Sequence, residues 1–124
     1  MKETLENTIL KLNNMYNYGK NWDGYEAIAP IPEIIECAKK FCYKLIEVIP
    51  EKAVLNVFVD GTSDISFYFN DRVNKNYIEI SIYNKDNYCF FVDTQKQSLY
   101  GKDDISLEII DDDLLNSIQL MYKD

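Results

Sequence analysis

The chain has 124 residues, 47% hydrophobic and 27% charged, and its 21 acidic against 13 basic side chains give a formal net charge of -8. That is the size and mix of one packed domain rather than of a disordered chain. The acidity argues against direct binding to nucleic acid or to an anionic membrane surface, where Lys and Arg do the neutralising. Histidine is absent, which removes the commonest general base, metal ligand and pH switch.

Leu5, Ile9, Leu12 and Tyr16 fall at helical spacing with polar residues between them, predicting an amphipathic helix over 3–18. This N-terminal stretch lacks the long apolar segment of a signal peptide, and no run approaches the length of a membrane span; a cytoplasmic chain is expected. Asn17, Gly19 and Asn21 end the helix, and a turn-rich connection from Gly19 to Pro30 carries the only Trp. Pro32 and Glu33 suit the first turn of a second helix. Its apolar line runs through Ile34, Ile35, Ala38, Phe41, Cys42, Leu45, Ile46 and Ile49, and Pro50 stops it.

The pattern then turns to period two. Strands are predicted at 53–59, ending at the Asp60-Gly61 turn, and at 64–70 and 77–83. A tight turn at 84–87 leads into a fourth strand at 88–93. After a polar stretch, 105–110 (ISLEII) reads as a weaker fifth. Asp111, Asp112 and Asp113 precede Leu114, Leu115, Ile118 and Met121, a short closing helix with acids at its positive end. Hairpin-length links exclude parallel crossovers. The expectation is one α+β domain over residues 1–124: two N-terminal helices packed on a four- to five-stranded antiparallel meander, with a short C-terminal helix.

Cys37, Cys42 and Cys89 are too few and too scattered for a disulfide scaffold, and read as thiols in a reducing compartment. No HExxH, paired CxxC, P-loop, GxGxxG or GxSxG occurs. The Asp111–Asp113 run lacks the alternating ligands and central Gly of a calcium loop. No catalytic residue, metal or cofactor is assigned.

The most distinctive segment is Asn21-Trp22-Asp23-Gly24-Tyr25-Glu26-Ala27, followed by Pro30-Ile31. A turn of this kind buries the Trp ring while Asp23 accepts backbone N–H bonds and Gly24 supplies a positive φ. Asn21, Trp22, Asp23, Gly24, Tyr25 and Pro30 are therefore expected to form a structural signature. The segment resembles the NWDGYGA…PI signature of small bacterial and phage-associated proteins, with Glu26 standing where Gly is common. The resemblance implies a helix on each side of the signature and a turn at Asp60-Gly61 leading into a sheet; it brings no established chemistry.

Tyr68, Tyr77 and Tyr83 project opposite the Ile and Phe rows of the predicted strands, flanked by Glu79 and serines rather than by the Lys or Arg that a nucleic-acid platform needs. Tyrosine on such a face suits protein recognition. Charge is concentrated at the end of the chain: residues 101–124 carry seven acids and two bases, a net of -5, against -3 for residues 1–100. Tyr68, Tyr77, Glu79, Tyr83, Asp111, Asp112 and Asp113 are the candidate protein-binding residues.

The reading that follows is a non-catalytic protein that occupies another protein, as antitoxins and phage-encoded inhibitors of bacterial defence (anti-CRISPR proteins among them) do. Its partner would be a basic, nucleic-acid-handling protein, engaged without direct nucleic-acid or membrane contact. The alternatives are a small enzyme or ligand-binding protein centred on the Trp22-Asp23-Gly24-Tyr25 turn, and a self-associating structural module.

Overall fold

Among the described residues, five strands form one antiparallel sheet in which each strand lies beside the next in sequence, and three α-helices cover one of its faces. The computed structural model describes residues 2–18, 29–60, 63–95 and 97–123. The expected signature residues Asn21, Trp22, Asp23, Gly24 and Tyr25 lie outside them. Pro30 lies inside and is buried.

Helix α1 (Lys2–Asn14) buries Leu12 and half-buries Leu5 and Ile9. The predicted helix to residue 18 is α-helical only to Asn14; a 3-10 turn, Met15–Asn17, completes it and sinks Met15 into the core. Helix α2 (Pro32–Val48) starts at Pro32, whose missing N–H costs nothing in a first turn and whose φ is already helical. It ends at Ile49, extended as the residue before Pro50 must be. The helix buries Ile34, Ile35, Ala38, Phe41, Cys42 and Leu45. Phe41 is the pivot of the core, with its ring 6.1 Å from Phe67 and 4.7 Å from Tyr88.

The strands are β1 (Asn56–Val59), β2 (Ile65–Asp71), β3 (Asn76–Ile82), β4 (Asn87–Thr94) and β5 (Gln97–Ser106). Alternation places Val57, Val59, Ile65, Phe67, Phe69, Ile78, Ile80, Ile82, Tyr88, Phe90 and Val92 under the helices. The first strand is shorter than the predicted 53–59. Ala53 closes a turn onto the Pro50 carbonyl, so Ala53 and Leu55 are buried without pairing in the sheet.

The fifth strand departs most from expectation. It runs through the polar stretch at 97–106, while Leu107 to Ile110 leave the sheet. Two irregularities explain why period two is lost there. Tyr88 pairs with Ile105 but Phe90 with Lys102, and Val92 with Tyr100 but Thr94 with Gln97. Each step inserts one extra β5 residue, and each extra residue reverses which side chains face the core. The first bulge holds Asp104 at a φ of 57°. At Gly101 a Cβ would stand 2.6 Å from the Phe90 carbonyl oxygen, so a bare backbone lets β5 approach β4.

Helix α3 (Asp112–Met121) is capped by Asp111, whose carboxylate accepts from the N–H groups of Asp113 and Leu114 at 2.9 and 3.1 Å. Tyr88 fixes this junction from inside the core. Its hydroxyl donates to the Ile109 carbonyl at 3.0 Å and accepts from the Asp111 N–H at 2.9 Å. Tyr100 reaches Ser117 at 2.5 Å, and the Tyr122 ring stands edge-on to Phe69 at 6.1 Å. Among the described residues no helix is long and apolar enough to cross a membrane.

Candidate recognition surface

The second face of the sheet points away from the apolar core that the helices cover. Register maps it residue by residue. The row Asn70–Tyr77–Asp93 runs beside the row Tyr68–Glu79–Phe91–Gly101, and that beside Ser66–Ser81–Cys89. Phe58, paired with Ser66, extends the last row onto β1.

Four aromatic rings on this face form a zigzag across four strands. Phe58 meets Tyr68 edge-on at 5.5 Å, Tyr68 stacks on Tyr77 at 6.0 Å, and Tyr77 tilts toward Phe91 at 5.7 Å. Phe91 is 37% exposed and the other three rings are half-buried. The bare backbone of Gly101 leaves the outer flank of Phe91 uncovered by a cross-strand side chain. Beneath the rings Ser66 is 1% exposed and shares a 2.8 Å hydrogen bond with Ser81.

Glu79 sits among these groups. Tyr68 and Phe91 are its cross-strand neighbours, and Tyr77 and Ser81 flank it along β3. Oε1 accepts from the Tyr77 hydroxyl at 2.7 Å and Oε2 from the Ser81 hydroxyl at 3.4 Å. Among the described residues no cation pairs with it. Burial, and then the bond to the Glu79 carboxylate, push the Tyr77 phenol well above its ordinary value, so Tyr77 is a neutral donor. The only basic residue in the five strands is Lys102, which pairs with Phe90 on the helical side. Glu79 and Asp93 therefore give the open face a negative charge with no strand cation to offset it.

Tyr68, Tyr77 and Glu79 thus come together as the sequence pattern placed them. Tyr83 has a different job. Its hydroxyl donates to Asp104 Oδ1 at 2.5 Å and accepts from the Asp104 N–H at 3.1 Å, holding the left-handed bulge residue. That carboxylate bond pushes the Tyr83 phenol up to about 12. Phe58 and Phe91 were not singled out from the sequence, although Phe91 is the residue that alternation puts opposite Glu79 once register is known.

Asp111, Asp112 and Asp113 stand at the start of α3, on the helical side of the sheet, and do not join this surface. Lys102 pairs with Asp111 at 3.2 Å and Asp113 at 2.6 Å, so part of their charge is neutralised locally. The thiols of Cys37, Cys42 and Cys89 are free, and burial raises all three above their ordinary range, Cys42 to about 12. A raised pKa works against the thiolate form that a nucleophile needs. No group of residues able to hold a metal ion occurs among the described residues. Comparison with protein-family models, curated proteins and solved structures finds no match.

Proposed function

We propose that the chain is a small acidic, non-catalytic protein-binding protein that acts in the cytoplasm by occupying another protein, with the open sheet face as its contact surface. One observation carries this reading: four aromatic rings cross four strands on the face opposite the described helices. Tyr and Phe present large, stiff contact area at low entropic cost, and aromatic side chains are enriched at the centres of protein interfaces.

The charge of -8 favours a basic partner and a fast, salt-sensitive encounter. Nucleic-acid-handling proteins have that character. Antitoxins and phage-encoded inhibitors of bacterial defence are the functional class this combination suits. Capture of a partner from a native-host lysate tests the reading. The double substitution Tyr68→Ser and Phe91→Ser should abolish capture while the protein stays folded. Undiminished capture by that folded variant would overturn it.

A further inference from the structure

The open face contains a carboxylate, Glu79, that no cation among the described residues neutralises. Glu79 is half-buried among the Tyr68, Tyr77 and Phe91 rings, without a cationic partner among the described residues. A carboxylate surrounded by apolar surface loses hydration, which an opposite charge can replace. Resting on the protein-binding reading above, we propose that Glu79 is the counter-ion for an arginine of the partner, whose guanidinium lies against the Tyr68, Tyr77 and Phe91 rings.

Two features select arginine over lysine. The two oxygens of Glu79 each accept one internal bond, from Tyr77 and from Ser81, and each retains acceptor capacity. A guanidinium presents two parallel N–H donors matched to two such oxygens, whereas an ammonium is a point charge. The neighbouring rings offer π faces on which a planar, weakly hydrated cation stacks. Asp93, across from Tyr77, adds a second negative charge for a basic residue next in the partner's sequence.

The test uses the intact protein and the peptide Ac-Gly-Gly-Arg-Gly-Gly-NH2, with its lysine and citrulline counterparts as controls. NMR would follow the ring signals of Tyr68, Tyr77 and Phe91 and the carboxyl carbon of Glu79. The arginine peptide should shift all four saturably, the lysine peptide should bind several-fold more weakly, and citrulline should leave them unmoved. Glu79→Gln preserves shape and hydrogen bonding to Tyr77 and Ser81, and should weaken the arginine peptide about tenfold, the scale of a lost charged hydrogen bond. Tyr68→Leu, which keeps apolar cover but removes a stacking face, should weaken it as well.

Equal response to citrulline, unchanged affinity in Glu79→Gln, no saturable shift, or shifts confined to Asp111–Asp113 would each overturn the proposal. The two readings fail separately. Partner capture that is lost with Tyr68→Ser/Phe91→Ser yet retained in full with Glu79→Gln would refute the arginine site and leave the protein-binding surface standing.

Discussion

Tyrosine does two kinds of work in this molecule, and the difference lies in what each hydroxyl touches. On the open face Tyr77 bonds Glu79 and keeps its ring in the aromatic row. In the core Tyr88 is fully buried and joins the segment after β5 to the cap of α3. Tyr88→Phe would leave the Asp111 N–H and the Ile109 carbonyl without that partner. It should cost about 1 kcal/mol, the net worth of a part-buried hydrogen bond, measured as a lower urea midpoint at unchanged slope; an unchanged midpoint would contradict the role. A second expectation concerns alkaline pH. Burial raises Tyr77, Tyr88 and Tyr122, and bonded carboxylates raise Tyr16 and Tyr83 to about 12. The unfolded chain releases these phenol protons near about pH 10, while the folded chain holds them. Their stabilising effect is therefore complete below that pH and is lost as pH rises toward the folded values. Urea midpoints should fall steeply above about pH 10, and tyrosinate absorbance of the native protein should lag the denatured titration. Coincident titrations with a flat midpoint would contradict it.

At the scale of elements, the Asp111–Asp113 run separates into a cap and two flanking charges. Asp111→Ala removes the oxygen that accepts from two N–H groups and a Lys102 contact, and should cost about 1–2 kcal/mol. Asp112→Asn with Asp113→Asn leaves the cap in place and should cost no more than about 1 kcal/mol, as thermal melts would show. A larger loss from the pair than from Asp111→Ala would reverse the assignment. Gly101→Ala should cost about 1–3 kcal/mol by forcing β5 away from the Phe90 carbonyl, read from melting and from loss of amide protection along 97–106. An unchanged melting temperature would show that β5 has room. The same elements show how far the sequence could be read. Helix α2 was legible because Pro32, Pro50 and an unbroken apolar stripe bound it. Strands β2 to β4 were legible because alternation runs without interruption from Ile65 to Val92 within each strand. Strand β5 was not, because two bulges reverse its facing, and no local residue choice reports a register step imposed by a neighbouring strand.

For the molecule as a whole, the two faces of the sheet differ in composition and burial. The helical side is a closed apolar core running from Leu12 to Met121. The other side carries the four aromatic rings and Glu79, which has no cationic partner among the described residues. Tyr68, Tyr77 and Glu79 could be grouped from alternation alone, since they lie on adjacent predicted strands. Joining Phe58 and Phe91 to them required register, and separating Asp111–Asp113 from them required the third dimension. Hydroxyl-radical footprinting of the complex with its captured partner tests the two-faced arrangement most directly. Protection should fall on Phe58, Tyr68, Tyr77 and Phe91, while Leu10 and Tyr43, exposed on α1 and α2, keep their free reactivity. Protection of Leu10 and Tyr43 with the four rings left fully reactive would place the partner on the helices and contradict the account.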